Sequence, residues 1–241
     1  MKRKTQAIIL HAVLLVCSIA TILPFLWMLS SSFKTNVEIN ALAQTFFPKN
    51  PTVQNYIDVV QKFNFLGYFR NSLVYALIVT VVSVYTSALT GFVLCKYQFR
   101  GRQAVFTMIM LTMLVPGVVT IIPRYSLMQG LGWLDSYKAL LLPSLFTSFG
   151  IFMMRQASYA IPNEMLEAAR IDGAGEVRTF IDIVFPMIKP GVGALAIFTF
   201  ITAWNDYFLQ LIMLNAQRKL TISLGIAKMQ GEASTDFGLI M

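Results

Sequence analysis

Charge is what this chain has least of. Only 12% of its 241 residues are Asp, Glu, Lys or Arg, about half the share of an ordinary soluble domain, while 56% are apolar. A water-facing surface cannot be covered by so few charges, so a membrane-embedded protein is expected. Histidine occurs once, as His11 in an apolar run with no second ligand type nearby, and no metal site is assigned to it. The two cysteines, Cys17 and Cys95, also lie in apolar runs, where a thiol behaves as a small hydrophobe, and no disulfide is inferred. No H-E-x-x-H, no G-x-S-x-G and no pair of mid-membrane acids occurs, which leaves the chain without a catalytic site. The phosphate-cradling G-x-x-x-x-G-K-[ST] is missing too, so any ATP is hydrolysed by a different chain. The 19 basic residues are spread without forming one basic face, which excludes nucleic acid as a partner and points to lipid head groups.

What is present is a series of long uncharged runs. A bilayer core about 30 Å thick needs around 20 apolar residues of helix. Spans are expected at about 6–33, 71–95, 103–123, 139–156 and 190–214, all helical. The fourth has only 16 residues between Lys138 and Arg155, so it crosses only if both side chains snorkel to the head groups. Lys2, Arg3 and Lys4 precede the first run, which is too long for a signal-peptide core and lacks an A-x-A-like cleavage site. An uncleaved helix with a cytoplasmic N-terminus is expected, and the basic "KYQFRGR" at 96–102 agrees with that orientation. The segments then alternate, with 34–70, 124–138 and 215–236 outside and 155–189 inside. The closing "DFGLIM" reads as the start of a sixth helix at about 237; a tail ending in apolar residues is the other reading.

The polar stretch at 157–189 is patterned like an ordered element. Pro162 and Asn163 suit a helix N-terminus, Glu164 and Glu167 sit where the helix dipole favours acids, and Gly173 suits a left-handed C-terminal position. The alternative role for Glu167 is that of a first-turn helix acid paired with Arg170 or Arg178. Val177, Phe180, Ile181, Val184 and Ile188 recur every three or four residues, which predicts a second, amphipathic helix with one apolar stripe. Pro186 and Pro190 mark the bend into the fifth span. The small residues Ala168, Ala169, Gly173, Ala174 and Gly175 admit close approach of another backbone. From the residues alone, a docking element and a plain interfacial connector both remain open.

"EAARIDGA", followed by Phe180, Ile183 and "FPMIKP", resembles the EAA loop of permease subunits in binding-protein-dependent ABC importers. "PKNPTVQNY" at 48–56, "NSL" at 71–73, "PRYSLMQGLGWLDSYKALLLP" at 123–143 and "AWNDYFLQLIML" at 203–214 resemble the carbohydrate-uptake, maltose-permease-like branch. The resemblance runs from about residue 15 onward, with Phe185 where the family has Leu. It implies a MetI-like, all-α polytopic permease forming half of a translocation path for a sugar or oligosaccharide, or for another solute such as a glycerol phosphate. It further implies a second permease subunit, an ATPase dimer that uses ATP and magnesium, and an extracytoplasmic solute-binding protein, in a bacterial inner membrane; this chain itself would bind no cofactor. Carried over by position, Glu167, Ala168, Ala169, Asp172 and Gly173 would couple to the ATPase, with Pro186 shaping the exit.

Asp206 lies 17 residues beyond Lys189, about 25 Å along a helix, near the outer edge of the bilayer. Trp204, Asn205 and Asp206 are candidates for the solute path; an interfacial anchor with Trp204 and Tyr207 as belt aromatics is the alternative. An ion-coupled secondary transporter is the rival function. It would need midplane carboxylates and internal repeats, and neither is evident.

Overall fold

The computed structural model describes residues 2–232 and 237–240, and it is all-helical among them. Chain contacts divide it into two compact units, Met1–Leu66 with Gly225–Met241, and Gly67–Leu224.

In the first unit, α1 (Lys2–Ser31) is apolar on every side, and its apolar side chains stay exposed along most of its length. A helix with no polar face is matched to hydrocarbon. Two short helices follow, α2 (Asn36–Ile39) and α3 (Gln54–Lys62), in the segment expected to be an outer loop. Asn55 of the "PKNPTVQNY" motif fastens this region, its Nδ2 donating to the carbonyls of Ser32 and Lys34 at 2.9 Å each.

The second unit is organised around α4 (Phe65–Lys96), one uninterrupted helix of 32 residues. Its neighbours in sequence are α5 (Arg102–Thr112) and α6 (Ile121–Gly130), joined through a tight 3-10 turn at Gly117–Thr120. The expected straight span at 103–123 is therefore a pair bent by 95°. Pro116 lacks an amide, so it cannot continue α5, and Pro123 is accommodated in the first turn of α6. Next come α7 (Tyr137–Ser144) and α8 (Ser148–Tyr159), together a 23-residue stretch long and apolar enough to cross a membrane. Within that stretch the Arg155 side chain folds inward, which corrects the reading in which it snorkels. Arg155 is only 9% exposed, its guanidinium lies 3.8 Å from the Phe106 ring centroid and 5.2 Å from that of Tyr159, and its Nε donates to the Leu94 carbonyl.

Then α9 (Asn163–Ile171), α10 (Glu176–Thr179), a π turn at Phe180–Val184 and α11 (Phe185–Met187) lead into α12 (Lys189–Trp204). The axis turns by 80° between the stretch ending at Met187 and α12. The run expected to be one span at 190–214 is also broken, with α13 (Phe208–Met213) set off by residues 205–207. The expected outer loop at 215–236 contains a helix, α14 (Ile222–Glu232); residues 233–236 lie outside the described ones. Finally α15 (Phe237–Ile240) is a helical turn where the sixth helix was expected to begin, with Met241 outside the described residues.

Within lipid, apolar side chains gain little by leaving one hydrocarbon surface for another, so close packing and hydrogen bonds must hold helices together. The α4–α8 crossing supplies both. Ser83, Ser87 and Gly91 recur every four residues on α4 and face Thr147, Gly150 and Met154. A Cβ on Gly91 would lie 2.6 Å from the Arg155 amide nitrogen, and one on Gly150 would lie 2.4 Å from Ser87 Oγ. Where the chain breaks between α7 and α8, Thr86 Oγ1 donates to the freed Leu145 carbonyl at 2.9 Å. Two apolar clusters flank this crossing. One gathers Tyr75, Leu140, Met213 and Leu224, the other Phe92, Met154, Phe180 and Val184.

The end of the unit that holds Tyr75 is closed by polar staples. Asn71 Nδ2 donates to the carbonyls of Arg218 and Leu220, and Ser72 Oγ accepts from the Ile222 amide. These are the first two residues of the "NSL" motif. Asp135, with φ of 53°, accepts from the amides of Asn215 and Ala216 through Oδ1 and from Lys219 through Oδ2 at 2.9 Å. The Ala216 amide, then Lys219 and the Asn215 amide, hold its carboxyl down at about 2.

Gly91→Ala forces a Cβ into the α8 backbone and is expected to destabilise by about 1–3 kcal/mol. Gly193→Ala, whose Cβ meets nothing within 4 Å, is expected to be neutral or stabilising. Thermal unfolding of both variants in detergent measures the difference. A depressed carboxyl pKa stabilises the fold above its unfolded value of 3.8, and that contribution is lost as pH falls toward about 2. Asp135→Ala should therefore lower Tm at neutral pH, with the gap to wild type closing between about pH 4 and pH 2.

Candidate functional site

The coupling candidates sit on α9 and the turn after it. The helix ends in a Schellman arrangement, in which the Ala174 amide donates to the Ala169 carbonyl at 2.9 Å and the Gly173 amide to the Arg170 carbonyl at 3.1 Å. Gly173 occupies the left-handed position that closes it, with φ of 77°, where any L side chain is strained by about 1 kcal/mol or more. At the other end Asn163 does not cap the helix. Its Oδ1 accepts from Lys96 Nζ at 2.9 Å, and the N-terminal position falls to Pro162, with no side-chain cap.

Leu166 and Ala169, three residues apart, pack inward at 7% and 5% exposure. Glu164, Glu167, Ala168 and Ile171 line the outward face, and Asp172 and Gly173 continue it. Of the expected coupling positions, Ala169 is therefore the one that faces the core, where its small side chain lets α9 lie close. Glu167 pairs with neither arginine: Arg170 meets Glu176 at 3.2 Å and Arg178 meets Asp182 at 3.2 Å. Its carboxylate stands free in water on the face that carries the small residues.

The expected apolar stripe is altered by the π turn. Phe180, Val184 and Ile188 pack inward at every fourth residue, but Val177 and Ile181 are 71% and 52% exposed. The physical reason is Pro186, whose ring would collide with the carbonyl four residues back in a regular helix; the wider turn makes room. Pro186 itself is exposed at the bend. Ile171, 86% exposed beside the small residues, was not singled out in the sequence, because one isoleucine at a helix end is no periodic signal.

Tyr97 lies beside this loop, and its hydroxyl donates to Glu176 Oε2. Burial first, and then the Glu176 carboxylate that accepts its proton, hold the phenol above its usual range.

The second candidate set lies at the break between α12 and α13. Asn205 and Asp206 line a cavity of about 750 Å³, together with Tyr75, Ser144, Thr199 and Thr202. Tyr75 Oη donates to Asp206 Oδ2 at 3.3 Å and lies 3.4 Å from Ser144 Oγ. Trp204 is not brought to the cavity. Its ring stacks on Phe200 at 5.8 Å and meets the edge of Phe69 at 5.5 Å. Tyr75 was missed because a tyrosine inside an apolar run looks like core. Among the described residues no three His, Cys, Asp or Glu side chains come together.

Residues 83–241, including α9 and the cavity wall at 198–208, match the family described as "binding-protein-dependent transport system inner membrane component". The arabinooligosaccharides transport system permease protein AraQ of Halalkalibacterium halodurans is 26% identical, with 100% of this chain and 88% of that protein covered. The sn-glycerol-3-phosphate transport system permease protein UgpE of Rhizobium meliloti is 31% identical over the same shares. Among solved structures, the crystal structure of a bacterial ABC transporter involved in the import of the acidic polysaccharide alginate contains a chain that superposes with a TM-score of 0.86. It is 22% identical, and 100% of this chain and 91% of that one are covered.

Proposed function

Because this chain belongs to the family of binding-protein-dependent transport system inner membrane components, we propose that it forms half of the path through which an ATP-driven importer carries a sugar or oligosaccharide. It acts as the membrane-spanning permease of the complex and carries no ATPase of its own. The observation that carries this reading is α9: a short helix closed by its own backbone, with Glu167, Ala168, Asp172 and Gly173 on one exposed face. Such a face receives a partner's cleft at close range, and a rigid helix passes on the partner's movement where a linker would absorb it. The partner is a cytoplasmic ATPase dimer that binds ATP and magnesium. A second permease subunit completes the path, and an extracytoplasmic solute-binding protein delivers the solute. The chain lies in a bacterial inner membrane with its N-terminus and the 157–189 loop on the cytoplasmic side, in line with the basic flanks.

Asn205 and Asp206 are the solute-path positions. Their cavity offers hydroxyls, an amide, one carboxylate and the rings of Phe149 and Phe198, and among the described residues no Lys or Arg lines it. That lining suits a neutral polyol with stackable rings better than a phosphate, and so favours the sugar reading over the glycerol phosphate one, which the likeness to UgpE otherwise keeps open.

The test is purification of the complex through this chain and its reconstitution into vesicles. An ATPase is expected to co-purify, with uptake of a neutral oligosaccharide that requires ATP and is blocked by vanadate. Gly173→Arg should insert at the wild-type level and lose uptake by roughly tenfold or more, since the left-handed joint and the docking face are both disturbed. Normal uptake by that variant removes the coupling assignment. Uptake driven by an ion gradient and indifferent to vanadate restores the secondary transporter.

A further inference from the structure

Two backbone joints bracket α9, one at residues 160–162 after α8 and one at 173–175 before α10. One is pinned by Lys96, the last residue of α4, and the other by Tyr97, which follows it with its amide still bonded to the Val93 carbonyl at 3.1 Å. At the first joint, Lys96 Nζ donates to the Ile161 carbonyl at 2.5 Å and to Asn163 Oδ1 at 2.9 Å. At the second, Tyr97 Oη donates to Glu176 Oε2, the first residue of α10. Arg170, near the end of α9, completes this group. Its Nη2 lies 3.2 Å from Glu176 Oε1, and its guanidinium lies 5.9 Å from the centre of the Tyr97 ring.

These contacts add little to stability. Arg170 and Glu176 are each about half exposed, and an ion pair so open to water contributes little. Their importance is positional. The covalent route from α9 toward α12 runs through the glycine turn, the π turn, the three-residue α11 and an 80° bend. Such a chain of joints yields when pushed. By contrast, α4 is continuous, and from Lys96 back to Tyr75 it spans about 32 Å. Tyr75 is the residue whose hydroxyl reaches Asp206 in the cavity.

We propose that Lys96 and Tyr97 are positioning residues that clamp both joints of α9 to α4, so that the coupling helix and the Tyr75 wall of the cavity move as one body. The clamp rests on the permease reading above. A body held at one point pivots; held at two, it carries rotation along the rod.

The experiment measures solute delivered per ATP hydrolysed in the reconstituted complex, for wild type, Tyr97→Phe, Lys96→Met and Lys96→Arg, each normalised to the ATPase that co-purifies. Tyr97→Phe keeps the ring and removes only the hydroxyl, so it decides the matter even if Lys96→Met fails to assemble. Transport per ATP is expected to fall roughly fivefold or more in Tyr97→Phe and Lys96→Met, the low end of ordinary coupling between sites. Lys96→Arg, which still donates at the first joint, is expected to recover most of the ratio. A purely structural role lowers the yield of complex and leaves the ratio per complex unchanged, and that result overturns the clamp alone. A wild-type complex that holds no ATPase, or takes up solute without ATP, overturns the permease reading and the clamp with it.

Discussion

The second unit depends on how closely α4 and α8 approach. Hydrocarbon surrounds a membrane protein with a solvent as apolar as leucine, so the driving force that collapses soluble proteins is largely missing between helices. Ser83, Ser87 and Gly91 answer this by having almost no side chain, which brings the α8 backbone into contact and lets many small dispersion terms add. Thr86 and Thr147 then satisfy the polar groups exposed where the helices break. Everything described at the two ends of the unit hangs on this crossing. The α9 loop follows directly from α8, and the cavity is walled in part by α4.

The unit's two ends are held by different chemistry. One end is stapled by the side chains of Asn71, Ser72 and Asp135 to backbone groups of 215–222, short-range bonds that fix a loop in place. The other is held by an apolar cluster, with Phe180, Val184 and Leu166 against Phe92 and Met154, and by a few half-exposed charges.

Much of this was legible in the sequence. The uncharged runs located α1, α4 and α8 because lipid demands continuous apolar helix, and Gly173 announced its left-handed turn because few other residues fit one. The Pro186 bend followed from the missing amide. What was not legible depended on contacts between distant residues. Nothing local in "KYQFRGR" says that Lys96 and Tyr97 will reach residues 161–176, and Arg155 read as a snorkelling end because its aromatic neighbour Phe106 lies far away in sequence. The breaks at 113–116 and 205–207 escaped for another reason. Hydropathy reports that a segment belongs in lipid, not that its helix is straight. Ala169 shows the same limit, since "EAA" does not say which alanine faces inward.

The Schellman closure of α9 has a thermodynamic side as well. Because Gly173 and Ala174 satisfy the last carbonyls from within the chain, the helix does not wait for another protein to complete it. Its ordering entropy is spent when the permease folds and not at the moment of encounter. A surface prepared in this way can be bound weakly and released quickly without melting between cycles, and its affinity can be set low without any loss of shape.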